Sequence, residues 1–188
     1  ISPKISAKNK LVFAKDSKIM TMIDPKSKQE LVSIEKNVGD IITDYQMFGS
    51  NDENILAVTN DGYALWYSLF GPEKGRIVSS IKLEFKGRWV ESLSICPRGE
   101  YACVGTYEKE CIILKLEGGR IEQMDTLDLS SCSFDYISPL ECLGYLKDHI
   151  IFFGLSLDRN RTVVTLDYNI KAGELIFMED KLMKYGED

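Results

Sequence analysis

Few side chains in this 188-residue sequence are of a type that could do chemistry. There is a single histidine, His149, which follows Lys147-Asp148 and leads into an apolar run. General acid–base or nucleophilic work needs that ring to have an oriented partner. A lone histidine at such a turn is more often structural or exposed than catalytic. Serines are plentiful, but no G-x-S-x-G elbow is present, and nothing supports a Ser–His–Asp triad. The five cysteines are Cys96, Cys103, Cys111, Cys132 and Cys142, with no C-x-x-C pair. Zinc would need clustered Cys and His ligands. Cys96, Cys103 and Cys111 lie in or beside apolar runs, so they read as small buried hydrophobes. Asn51-Asp52-Glu53-Asn54 and Asp158-Arg159-Asn160-Arg161 are rich in oxygen ligands, yet the EF-hand pattern is missing and solvated turns fit them better. Gly71-Pro72-Glu73-Lys74-Gly75 lacks the phosphate-loop spacing and reads as a hairpin loop. The expectation is a chain with no catalytic residues, no metal and no cofactor.

Composition narrows the partners. Acidic residues outnumber basic ones, 29 to 23, for a net charge of −6. That argues against nucleic acid or an anionic membrane, because phosphate binding needs a basic face. No run of about eighteen apolar residues suggests a transmembrane helix. The opening ISPKISAKNK lacks the apolar core of a signal peptide. With an odd number of cysteines and no disulfide pattern, a reducing, cytoplasmic (intracellular) setting is expected.

The elements that must position any site are short strands. Four segments share one plan: a short apolar run, a polar turn, then an alternating run. They are Leu11 to Asp24, Ile55 to Ser68, Tyr101 to Glu117 and Ile150 to Tyr168. Period-two alternation with β-branched and aromatic residues is the strand signature. Equivalent turn positions are placed at Asp16, Asn60, Glu108 and Asn160, steps of 44, 48 and 52 residues. These are near the about 40–45 residues of a four-stranded repeat. A further strand follows each pair: Leu31–Glu35, Ile77–Phe85, Ile121–Leu129 and Glu174–Met178. A strand precedes the last three pairs, at Ile41–Phe48, Val90–Cys96 and Leu140–Leu146. The first unit lacks most of its first strand. Gly and Pro punctuate the connections. No helical periodicity is present.

One stretch makes the repeat specific. Trp89 to Glu117, WVESLSICPRGEYACVGTYEKECIILKLE, resembles a WD40 repeat from its first strand through its third. Ile95-Cys96-Pro97-Arg98-Gly99 stands where that family has F-S-P-D-G, Glu108 where it has the turn aspartate, and Leu114-Lys115 where it has Trp-Asp. Asn60-Asp61-Gly62-Tyr63-Ala64-Leu65-Trp66-Tyr67 keeps the tryptophan, Leu166-Asp167 keeps the aspartate, and Met22-Ile23 keeps neither. The family's Gly-His pair, whose histidine bonds the turn aspartate, is missing. The resemblance implies an all-β fold: a β-propeller segment of about four blades, at about 1–36, 40–85, 88–130 and 135–180, with 181–188 a polar tail. The first blade is incomplete, since Ile1-Ser2-Pro3-Lys4 resembles Ile95-Cys96-Pro97-Arg98. Three and three-quarter blades do not easily close a ring, and propellers have about 4–8 blades; since rings of this family are mostly seven-bladed, the resemblance implies a segment of a larger, seven-bladed ring, with a four-bladed ring closed by its own termini as the weaker alternative. In the family the tryptophan position packs between blades, a role that Met22, Trp66, Leu114 and Leu166 fit.

The resemblance also implies a function. In such propellers the loops before the first strand and between the second and third strands share one face that binds peptides. In this sequence those loops carry Asp40, Arg88, Trp89, Tyr107, Lys109, Asp135, Tyr136, Arg159 and Arg161. Trp, Tyr and Arg dominate binding hot spots, because they join apolar area to hydrogen-bonding ends. The expected partner-binding set is Arg88, Trp89, Tyr107, Lys109, Tyr136, Arg159 and Arg161. The expected function is a non-enzymatic protein–protein interaction scaffold. The alternatives are a structural assembly element of a large complex, or the propeller domain of a longer protein whose catalytic part, such as a kinase, lies elsewhere.

Overall fold

The computed structural model describes residues 4–5, 11–14, 19–35, 38–129, 141–146, 148–155 and 162–181. Sixteen strands form four antiparallel sheets of four, each sheet taking its strands in chain order. Sheet 1 holds β1 (Lys4–Ile5), β2 (Leu11–Ala14), β3 (Ile19–Ile23) and β4 (Glu30–Glu35). Sheet 2 holds β5 (Ile42–Phe48), β6 (Asn54–Thr59), β7 (Tyr63–Ser68) and β8 (Ile77–Lys82). Sheet 3 holds β9 (Val90–Ile95), β10 (Tyr101–Thr106), β11 (Glu110–Glu117) and β12 (Arg120–Asp128). Sheet 4 holds β13 (Glu141–Leu146), β14 (His149–Leu155), β15 (Thr162–Asn169) and β16 (Glu174–Lys181). The described residues contain no helix long and apolar enough to cross a membrane.

These boundaries follow the apolar runs to within about one residue, apart from two strand ends. β8 stops at Lys82, because the Leu83 amide turns to donate to Gly62 O at 2.8 Å. β16 continues through Lys181, one residue past the expected tail boundary. The first strand of sheet 1 is two residues long among the described residues, in keeping with a first unit that lacks most of that strand.

The sheets are held together by three apolar seams. Met20, Met22, Val32 and Ile34 of sheet 1 pack on Tyr45, Ile55, Leu65 and Tyr67 of sheet 2. The other face of sheet 2, with Leu56, Val58 and Trp66, packs on Val104, Ile112 and Leu114 of sheet 3. Cys103, Cys111 and Ile113 then pack on Ile150, Phe152, Leu166 and Tyr168 of sheet 4. Central strands are therefore covered on both faces, which is why β6, β7, β10 and β11 are apolar nearly throughout. The outer strand β8 alternates half-buried and exposed residues instead. Each fully buried aliphatic side chain is worth about 2 kcal/mol. The seams thus outweigh exposed ion pairs such as Arg76–Glu73, worth about 0–1 kcal/mol.

Polar ties fix sheet 2 against sheet 3. The first strands lie side by side, as do the fourth strands. On one side, Asp44 Oδ2 and Gln46 Oε1 of β5 accept from the Leu93 and Ile95 amides at 2.9 and 2.7 Å. Those amides belong to the free edge of β9, which would otherwise be open to strand addition. On the other side, Gln123 and Glu84 exchange two bonds of 2.8 Å.

The register corrects two sequence alignments. Thr59 and Thr106 end equivalent strands, so Asp61 and not Asn60 is the counterpart of Glu108. The same offset pairs Tyr67 with Leu114: Tyr67 lies opposite Ile55, as Leu114 lies opposite Ala102. Trp66 and Met22 face the following sheet, whereas Leu114 and Leu166 face the preceding one. All four pack between sheets, but they do not share one position.

Candidate functional site

Two turns of identical plan build the site. Thr59-Asn60-Asp61-Gly62 joins β6 to β7, and Thr106-Tyr107-Glu108-Lys109 joins β10 to β11. The fourth residue must turn left-handed: φ is +90° at Gly62 and +65° at Lys109. The threonine hydroxyl accepts the amide four residues on, Tyr63 N at 2.9 Å and Glu110 N at 3.0 Å. The carboxylate reaches back to the loop that enters the same sheet. Asp61 Oδ1 accepts from Asp40 N at 2.9 Å, and Glu108 Oε1 accepts from Arg88 N at 2.7 Å. The second turn residue donates its amide to the residue before the first strand: Asn60 N to Ile41 O at 2.8 Å, Tyr107 N to Trp89 O at 3.0 Å. The sequence lacks a histidine to engage the turn carboxylate, and backbone amides take that place.

Sheet 3 adds a second acid. Glu110 is only 4% exposed. Its carboxylate accepts from Lys86 N at 2.9 Å and Gly87 N at 3.0 Å. Three successive amides, 86 to 88, therefore point at two carboxylates and fix the loop that carries Arg88 and Trp89. A Cβ at Gly87 would press on the Glu108 carboxylate, so any larger residue there would displace the group that holds the Arg88 amide.

Fixed backbone carries exposed side chains. Trp89 is 57% exposed and Tyr107 54%. Their rings meet edge to face, with centroids 6.2 Å apart and planes at 63°. Arg88 is exposed and Lys109 half-buried. The structure thus brings together Arg88, Trp89, Tyr107 and Lys109 of the expected set. Asp135, Tyr136, Arg159 and Arg161 lie outside the described residues. At the junction of sheets 2 and 3 a depression of about 420 Å³ opens, lined by Ile41, Thr43, Asn60, Trp89, Val90 and Glu91. The bond from Val90 N to Asn60 O, 2.9 Å, joins the two sheets at its floor.

Sequence reasoning missed Glu110, Ile41, Asn60 and Glu91. Glu110 could have been found as an acid that opens the apolar run Cys111–Leu114. Ile41 is the counterpart of Trp89, as Asn60 is of Tyr107, and the corrected alignment would have shown both.

The local electrostatics favour an ionised Asp61. Burial pushes the Asp61 carboxyl up, but bonds from Thr59 Oγ1 and the Asp40 amide, with the Lys82 charge, outweigh it and hold it below the ordinary value. Thr59 Oγ1 donates to Asp61 Oδ1 at 2.6 Å. Lys86 Nζ pairs with Asp128 at 3.0 Å on the open surface.

Little else among the described residues could do chemistry. His149 opens β14, and its Nδ1 lies 2.7 Å from Asp167 Oδ1 on the sheet 4 face turned away from sheet 3. Cys96, Cys103 and Cys111 are buried free thiols. The 51–54 turn is closed by Glu53, whose carboxylate accepts from the Asn51 amide at 2.8 Å. Among the described residues no three His, Cys, Asp or Glu side chains gather as a metal would require.

No family model matches the chain, and no curated protein matches it. Among solved structures, one described as "KlHsv2 with loop 6CD replaced by a Gly-Ser linker" superposes with a TM-score of 0.69 at 9% identity. The match covers 95% of this chain and 57% of that one. The chain therefore spans little more than half that structure's length. At such low identity the likeness is one of fold alone.

Proposed function

We propose that this chain is a WD40-type β-propeller segment serving as a non-enzymatic interaction scaffold. Side-by-side first and fourth strands in neighbouring sheets fit a radial arrangement of blades. In the complete ring a further blade would cover the face of sheet 4 that carries Ile176, 46% exposed. Buried free thiols fit an intracellular setting.

One observation carries the reading. A tryptophan and a tyrosine, each more than half exposed, stand on two neighbouring loops, and two acids fix the one that carries the tryptophan. Large aromatics on rigid backbone make good contacts, because little side-chain entropy is lost on docking. The partner is a protein or peptide laid across these loops. To test this, a proteome-derived peptide display library is panned on the folded chain. Selected peptides should bind Trp89→Ala and Arg88→Ala variants at least about 5-fold more weakly, as hot-spot truncation predicts. Equal affinity for both folded variants would remove this face from the function.

A further inference from the structure

We infer that the depression between sheets 2 and 3 takes a lysine or arginine side chain of the docking polypeptide. This rests on the docking reading above and specifies its chemistry. The walls are mostly apolar: Ile41, 46% exposed, stands across from Trp89, with Val90 below. The polar groups of the wall are nearly all engaged within the protein. Thr43 Oγ1 donates to Val58 O at 3.3 Å. Asn60 Oδ1 accepts from the Ile41 and Asp61 amides, both at 2.9 Å, and Asn60 Nδ2 donates to Asp40 Oδ2 at 3.0 Å. Two side-chain groups are exceptions among the described residues: the Trp89 indole N–H, and the carboxylate of half-buried Glu91, the one charged group of the lining, which has no hydrogen bond or ion pair within 4.0 Å.

A partner that covers this depression must desolvate one unpaired anion on an apolar wall. A neutral occupant would leave that charge uncompensated, which is costly. A long aliphatic stem ending in a cation meets each feature in turn. The stem lies along Ile41, the head reaches Glu91, and the charge passes over the Trp89 ring. Arg88 is exposed but does not line the depression, so an acidic partner would have to engage it from outside. The carboxylate of Asp40, tied to Asn60, adds to the negative field.

The test uses the peptides selected above. The basic residues of each are replaced one at a time by citrulline or norleucine, and affinities are measured on the full chain. One replacement should weaken binding about 10-fold, the combined worth of a partly desolvated ion pair and cation–π contact. Glu91→Gln should weaken the parent peptide about 3- to 10-fold and erase most of the effect of that replacement. Glu91 has no partner to lose, so the variant folds as the parent does. Raising salt from 0.05 to 0.5 M should weaken the parent peptide more than the citrulline form, as screening requires, with about 10-fold more salt. If selected peptides depend on Trp89 but carry no basic residue, or ignore Glu91→Gln, the inference fails while the docking reading stands. Acidic peptides that depend on Arg88 would overturn it equally. If peptides ignore Trp89→Ala, or none is enriched, both fall.

Discussion

Replacing Glu110 by alanine should loosen the loop that presents Trp89 before it touches anything else. The carboxylate holds two amides, Lys86 N and Gly87 N, at 2.9 and 3.0 Å. A hydrogen bond to a charged group contributes about 1.5–3 kcal/mol, and a buried donor left without an acceptor costs about as much. Gly87 is half-buried and Lys86 exposed, so water can return to part of the space. Halving the sum of two such bonds gives a loss of about 1.5–3 kcal/mol. That is a large share of the about 5–15 kcal/mol typical of a whole domain. Glu110→Gln keeps one acceptor oxygen and should lose about half as much. Urea unfolding would show a lower midpoint at unchanged slope. Native-state hydrogen exchange would show the amides of residues 86 to 88 losing protection, while core amides such as Ile113 open only with the whole fold. A loss below about 0.5 kcal/mol, with those amides still protected, would refute the claim that Glu110 positions the loop.

Further predictions concern titration. The Tyr67 hydroxyl is buried without a hydrogen-bond partner, so Tyr67→Phe should raise stability by about 1 kcal/mol; a lower urea midpoint would show that the hydroxyl has a partner. Burial pushes its pKa up to about 12. The folded value lies above the unfolded one of about 10, so the tyrosine's contribution is complete below about pH 10 and is lost as pH rises through the folded value. Tyr67→Phe should flatten that alkaline limb, and an unchanged limb would count against this residue. Asp61 runs the other way. Its folded value is depressed, so its contribution is present above about pH 4 and is lost as pH falls through the folded value. Asp61→Asn should reduce the acid sensitivity of unfolding, with earlier exchange of the Asp40 amide; parallel acid limbs in variant and parent would refute it.

The sheets were legible because their signal is local. Alternation of apolar residues marks a strand, and Gly71-Pro72 or Gly118-Gly119 marks its end, within a few residues of chain. The site was legible in part. Trp89 and Tyr107 stand out by type, and the shared face of their loops came with the resemblance. Glu91 and Ile41 do not stand out, because their importance comes from a junction between sheets 2 and 3 that no short window contains. Glu110 was hidden differently: its carboxylate serves amides 23 and 24 residues earlier in the chain.

Trp66 shows where residue type misleads and geometry decides. A tryptophan one position before Tyr67 invites alignment with Leu114, and both are buried. Side chains alternate faces along a strand, so one residue of slip moves the side chain to the opposite sheet surface. Trp66 stands edge-on to Phe48 at 5.0 Å and donates to Asn54 Oδ1 at 2.9 Å, facing sheet 3. Tyr67 takes the Leu114 position and faces sheet 1.

The corrected register also explains how one repeat can carry a site. In sheets 2 and 3 the same bonds fix the same backbone: turn acid to loop amide, and second turn residue to the carbonyl before the first strand. Those bonds use main-chain atoms at the second turn residue and at the residue before the first strand. That plan places no demand on the two side chains there, Ile41 with Asn60 in one sheet and Trp89 with Tyr107 in the other, although Asn60 adds bonds of its own to the frame. Asn60 spends its amide on the local frame, and Ile41 stays a modest apolar surface. Trp89 and Tyr107 give the same frame a large exposed aromatic area instead. Substitution at these two positions changes what the face can hold without changing what holds the face, so the depression between an aliphatic and an aromatic wall is a product of register.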